Sequence, residues 1–176
     1  GKFLLRRGLA FHDGRNWSQQ HRYWLHGLTF DRPADQIVFE DYILAVEQHE
    51  ARVAALDEHL AAVAEVEPYR TPVAHLRCFR GIDTVTALSI AAELHDVRRF
   101  SSAPRLMAYL GLVPSEHSSG GHRRQGAITR AGNTHVRRLL IETAWHYRHK
   151  PAIGVRLAKR RRGQPPAVIA RAARAQ

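Results

Sequence analysis

The sequence predicts an all-α protein, a helical coiled-coil arm followed by a compact helical domain. Three observations carry that prediction. Phe39, Tyr42, Val46, His49, Val53, Leu56, Leu60 and Val63 recur at alternating spacings of three and four, a heptad seam. Short helix signals with their own starts and stops then crowd residues 71–110. Helical spacing resumes at Val136, Leu139, Leu140, Thr143 and Tyr147.

The elements follow in order. "GKFLLRRGLAF" reads as the end of a helix, and with no initiator methionine the chain is expected to be a fragment. A polar connection follows, whose Trp17, Tyr23, Trp24 and Phe30 read most simply as anchors in a small core, with base stacking as the other reading, and it holds a short helix over 18–25 that Ser18 caps. The heptad helix occupies 36–67, and Pro68 ends it because proline cannot continue the hydrogen-bond ladder. About four heptads are marginal for a lone coil, so intrachain packing and dimerisation are both open. Thr71 or Pro72 starts the next helix, and "DVRRF" breaks the one after it. Ser101 or Ser102 caps a third helix, with Pro104 in its first turn and Leu106, Tyr109 and Leu110 facing the core. Met107 and Cys78 read as core fillers. After the helix at 134–150, with Arg137, Arg138 and Arg148 on its outer surface, "KRRRGQPP" reads as a basic break. "AVIARAARAQ" begins a last helix with no C-terminal cap, and truncation is expected there too.

"LRCFRGIDTVTALSIAAEL" resembles a helix-hairpin-helix unit, in which a tight turn, here Gly81-Ile82-Asp83, joins two helices. The backbone N–H groups of such a turn take a DNA phosphate without reading bases. Asp83 replaces the usual second glycine and sets an anion where a phosphate would approach. A purely structural hairpin, with Asp83 capping the next helix, is therefore the other reading.

Charge is strongly segregated. Residues 1–97 hold 10 Lys+Arg against 14 Asp+Glu; residues 98–176 hold 17 against 2. A polyanionic partner is implied, nucleic acid before an anionic membrane. The lone Cys78 rules out an internal disulfide and a cysteine-based zinc site, and suits a reducing cytoplasm. No apolar run reaches membrane-spanning length, and no secretory signal, P-loop or dinucleotide-binding glycine pattern is present.

The chemistry concentrates in "GLVPSEHSSGGHRRQGAITRAGNTHVRRLL". Ser118 and Ser119 offer hydroxyls, and Gly120 and Gly121 let a backbone approach a phosphate closely. Arg123, Arg124, Arg130, Arg137 and Arg138 supply guanidinium forks that match phosphoryl oxygens and keep their charge. His117 and His122 can move protons near neutral pH. Composition alone leaves three options open: a catalytic serine, a passive phosphate clamp, or a solvated loop. No paired carboxylates accompany the loop, so it is no two-metal site and no metal ligand is assigned.

Taken in order, "LRCFRGIDTVTALSIAAEL", "FSSAPRLMAYLGLVPSEHSSGG" and "GAITRAGNTHVRRLLIETAW" resemble the C-terminal domain of transposases of the IS110 family, the IS116/IS902-like group. The resemblance covers roughly residues 70–150. It implies a helical linker over 1–68, a C-terminal transposase domain with the serine loop over 69–150, and a basic extension over 151–176. It further implies DNA strand cleavage and rejoining through a nucleophilic serine that falls on Ser119, with Ser118 as its neighbour. Phosphate contacts by Ser118, Gly120 and the five arginines are our inference. The family pairs this domain with an N-terminal RuvC-like domain whose acidic tetrad holds Mg²⁺, and the present sequence shows neither its strands nor its acids. The expected partners are DNA, a structured guide RNA and further copies of the chain, without a membrane. The isolated chain is expected to bind nucleic acid without completing transposition. The rival expectations are a helix-hairpin-helix nucleic-acid-binding module without chemistry or a decayed transposase remnant, and a structural dimerisation protein.

Overall fold

The computed structural model describes residues 2–122 and 124–175. They are mostly helical, as expected, with one short two-stranded ribbon added. The chain divides into two compact units, residues 1–55 and 56–176.

The first unit contains α1 (Lys2–Leu5), α2 (Gln19–His26) and most of α3 (Pro33–Ala64). Ser18 caps α2 as its sequence position predicts: its hydroxyl accepts from the His21 amide at 3.2 Å. Leu4, Leu25 and Phe39 form the buried centre, with Phe3, Trp24 and Phe30 packed around it. Arg7 stacks over the Phe3 ring at 3.6 Å and pairs with Asp35, whose carboxyl it holds below the usual range. Two of the expected aromatic anchors do not anchor. Trp17 is half exposed, and Tyr23 is 85% exposed. The α2 face available for burial is already filled by His21 and Leu25, one helical turn apart.

The heptad seam of α3 is real as a stripe but unevenly buried. Phe39 is buried in the first unit, and Leu60 packs on the core of the second. Between them, Tyr42, Val53 and Leu56 lie open. The helix begins at Pro33, whose fixed φ suits a first turn, and ends at Ala64. The last carbonyls then accept tighter bonds from the Glu65 and Val66 amides before Pro68 is reached.

The second unit is built around α5 (Thr84–Leu94), which is apolar on two sides. One side joins Ala64, Val73 of α4 (Arg70–Leu76) and Ile82. The other carries Ile90 and Leu94 against Leu110 and Val136. That second cluster seats α6 (Ala103–Tyr109), begun by Ser102, beside α7 (Thr134–Ala144). The chain leaves α6, runs out through β1 (Pro114–Glu116), returns through β2 (Gln125–Ile128) and enters α7. Beyond α7 come α8 (Val155–Arg161) and α9 (Pro166–Arg174).

Four sequence expectations are corrected here. Tyr109 and Met107 are 40% and 45% exposed rather than core residues; Tyr109 instead packs on Phe100 beneath the Arg99 guanidinium. Arg137 is buried rather than outward-facing. Lys159, Arg160 and Arg161 belong to a helix rather than to a break, because Leu157 is buried and draws their turn into the fold. Cys78 is fully buried, as expected, and burial pushes its thiol pKa up.

Candidate nucleic-acid interface

The segment read as a loop is an antiparallel ribbon. Ser119 and His122 exchange both backbone hydrogen bonds, at 3.3 and 3.1 Å, around Gly120-Gly121. Both glycines have positive φ, 54° and 82°, as a type I′ turn demands. The His117 amide donates to Arg124, and the Thr129 amide donates to Val113. Pro114 faces Ile128 and Glu116 faces Gln125, with a register irregularity between them.

The base of the ribbon is closed by two glycines. Gly111 and Gly132 have φ of 66° and 78°. A Cβ on Gly111 would lie 2.2 Å from the Ala131 carbonyl oxygen, and one on Gly132 would lie 1.8 Å from that of Tyr109. The outgoing and returning segments touch backbone to backbone here, a contact that only glycine permits.

Arg137 holds this crossing from below. Its buried guanidinium donates to the carbonyls of Leu110 and Ala131 at 2.8 and 2.9 Å, and to the Thr134 hydroxyl at 3.1 Å. It ties both feet of the ribbon to α7 and is not placed to meet a ligand. Asn133 caps α7 by accepting from the Val136 amide at 2.9 Å, and its side-chain amide donates to Glu93 of α5. Glu93 also pairs with His135. The Asn133 amide, then the His135 ring, holds the Glu93 carboxyl below the usual range.

The two serines differ. Ser118 donates its hydroxyl to Glu116 at 2.7 Å and accepts from the Arg124 amide at 3.1 Å. Ser119 is exposed beside the turn, and among the described residues its hydroxyl has no hydrogen-bond partner. Its cross-strand neighbour is His122, and paired residues present their side chains on the same face. Arg124, Arg130 and Arg138 are exposed, Arg138 standing 3.9 Å from Glu142. Arg130 adopts a positive φ of 57° at the ribbon's foot. Arg123 lies outside the described residues.

Sequence reasoning passed over Glu116 as an acceptor for Ser118. The segment reads as a loop in sequence, and Ser118 lies beyond the end of β1, so no strand periodicity marks the pair. The turn between α4 and α5 carries Gly81 at φ 81°, where a Cβ would strike the His146 ring at 2.5 Å. Asp83 is the N-cap of α5 and accepts from the Thr86 amide at 2.8 Å. Its carboxylate therefore already occupies the helix terminus. No group of three or more His, Cys, Asp or Glu among the described residues could hold a metal ion, and no described helix is long and apolar enough to cross a membrane.

Three comparisons bear on this arrangement. The family described as "Transposase IS116/IS110/IS902 family" matches residues 73–156, which include the α4–α5 turn, the ribbon and α7. A putative transposase, y4qE, of Sinorhizobium fredii is 38% identical over 154 residues, covering 88% of this chain and 36% of its own. The transposase for insertion sequence element IS1533 of Leptospira borgpetersenii is 31% identical over 177 residues, covering 99% of this chain and 51% of its own. The chain thus spans about a third to a half of the length of these two relatives.

Proposed function

Through residues 73–156 the chain belongs to the Transposase IS116/IS110/IS902 family, and from that premise we propose that it carries the strand-cleaving and rejoining part of a transposase, with Ser119 as the nucleophile. The Ser119 oxygen attacks a DNA phosphorus and forms an O–P bond while one bond to a deoxyribose oxygen breaks. The serine proton passes to a base, and the departing oxygen takes a proton in turn. His122 is the backbone partner of Ser119 across the hairpin, and its imidazole is the base that this reading assigns to the transfer. A hydroxyl of another strand then attacks the phosphoserine, restores a phosphodiester and releases the serine. Energy is conserved in the covalent link, so no nucleotide cofactor is needed.

The observation that carries this reading is the contrast between the serines. Ser119 is exposed at the turn with its hydroxyl uncommitted among the described residues, whereas the Ser118 hydroxyl is bound on both sides. Arg124, Arg130 and Arg138 are exposed for phosphoryl oxygens, and Arg123 adjoins them in sequence. Arg137 acts through the scaffold. A second reading makes Ser118 the nucleophile with Glu116 as its base, favoured by their 2.7 Å hydrogen bond. Among the described residues no group of three or more His, Cys, Asp or Glu gathers to hold Mg²⁺, and the steps above use the side chains of the ribbon alone. A structured RNA partner and self-association along the open stripe of α3 belong to the same proposal.

The test is a trapping assay in the complete transposase, with the element's RNA, Mg²⁺ and a nicked suicide DNA substrate, resolved on denaturing gels. An adduct that Ser119→Ala abolishes and Ser118→Ala leaves establishes Ser119. The reverse pattern establishes Ser118. An adduct surviving both changes moves the chemistry elsewhere, and no adduct despite intact DNA binding makes the chain a binding module.

A further inference from the structure

α8 places Arg156, Lys159 and Arg160 at i, i+3 and i+4, on one helical face. That face borders a cleft of about 750 Å³, whose far side is the α4–α5 turn. Arg77 and Arg162 complete a ring of five cations, and Asp83 is the one acid lining it. Asp83 is committed to its capping bond. Arg160 donates one guanidinium nitrogen to the Ile82 carbonyl and is thereby pinned to the turn. The Nε atoms of Arg77 and Arg160 are buried and have no hydrogen-bond partner among the described residues. Burial first, then the neighbouring Arg77, lowers the Arg160 pKa.

Five cations gathered around one cleft repel one another, and leaving buried N–H donors unpaired costs further stability. A fold keeps such an arrangement at lower cost when an anion enters it. The lining groups are guanidinium and ammonium donors, the chemistry that meets phosphate oxygens. The cleft has no Trp, Tyr or Phe in its lining to stack a base.

We propose that the cleft between α8 and the α4–α5 turn is a phosphate-binding site that holds the sugar–phosphate backbone of a nucleic-acid strand without reading its bases. It rests on the reading that this chain works on nucleic acid. The side chains of α8 make the contact, and not the hairpin amides, because Asp83 has taken the amide at the α5 terminus. The strand is RNA or DNA; both present the same phosphodiester.

The test uses the full 176-residue chain and fluorescence anisotropy with two labelled probes of one arbitrary sequence, a 24-nucleotide RNA and a 24-base-pair DNA duplex. The cleft variant is R156A/K159A/R162A, three exposed residues, and a charge-matched control is R98A/R105A/R171A. Circular dichroism melts confirm that each variant folds. The cleft variant should bind at least about tenfold more weakly than the control, with a salt slope shallower by about two to three. The Lys-for-Arg variant R156K/R162K, which keeps the charge, should retain the wild-type slope. Loss with only one probe assigns the site to that polymer, and loss with both assigns it to the shared backbone. Equal binding by cleft and control variants overturns the site while leaving the nucleic-acid reading intact. No binding by the wild-type chain to either probe overturns both.

Discussion

The serine ribbon and the α8 cleft are two arginine-rich regions of one unit, and they spend their arginines differently. On the ribbon and the outer face of α7, Arg124, Arg130 and Arg138 are exposed, and among the described residues the one ion pair in that set is the long contact to Glu142. Around the cleft, Arg160 is partly buried and fastened to a carbonyl, and its neighbour Arg161 donates to the Cys78 carbonyl at 3.0 Å. Arg137 is the extreme case, an arginine that serves only the protein. A guanidinium with several fixed acceptors has lost its side-chain freedom during folding and presents a fixed geometry. An exposed one must be ordered by its ligand, at a cost of about 1–2 kcal/mol each. High net charge therefore does not measure how much of the surface is available to a polyanion.

The largest effect that would break the comparison lies at the turn. Ser119→Ala should lower covalent adduct formation in the complete transposase by about a thousandfold or more, and Ser118→Ala by less than about tenfold, read from gel time courses. Equal losses would mean that the two hydroxyls do not divide as described. Next comes Arg137 against Arg138. Arg137→Met leaves the Leu110 and Ala131 carbonyls without their donor and should destabilise the chain by about 2–4 kcal/mol in urea melts. Arg138→Met should stay within about 0.5 kcal/mol, since its ion pair is exposed and long. Lysine at position 137 should rescue only in part, because a single ammonium can meet the two carbonyls that Nη1 serves but has no second nitrogen for the Thr134 hydroxyl.

The glycines sharpen the same contrast between foot and tip. Gly132→Ala meets backbone at 1.8 Å and should cost at least about 2 kcal/mol. Gly120→Ala meets open space and bears only its positive φ, about 1 kcal/mol. The smallest effect concerns acid. Glu93 has a depressed pKa in the folded chain, relative to an ordinary 4.5. Its contribution is present above pH 4.5 and is lost as pH falls through the lower folded value. Glu93→Gln should therefore flatten the acid limb of the stability profile. An unchanged acid limb would remove Glu93 from the forces tying α7 to α5.

Much of the helical frame was legible because its signals are local. Ser18 and Ser102 start their helices where their positions predict, and Asp83 caps α5 as the structural reading of the hairpin held. The ribbon was not legible. Its glycine pair is a hairpin signal, but the flanking residues are exposed throughout β2, so no alternation of apolar residues marks the strands. The burial of Arg137 was equally hidden, since a sequence does not show which carbonyls will lack partners until α6 and the ribbon foot meet. The helicity of α8 was masked by its charge: four consecutive cations look like a solvated break, and the single buried Leu157 is too little periodicity to contradict that. The serine pair was found in sequence through an ordered motif, and the structure adds a difference between the two hydroxyls that no spacing could express.

The backbone crossing at Gly111 and Gly132 has a consequence for how this family could diversify. The two feet are pinned to each other and to α7, and Leu112 packs on the core beside them, so the scaffold registers the feet and that one side chain. Whatever lies between them behaves as a replaceable cassette. Residues 113–129 from a distant relative, shorter or longer, should graft onto these helices with little penalty to the host, provided that both glycines, Leu112 and Arg137 stay. Selection for a new reaction partner could then rewrite the tip while the frame drifts at its own pace.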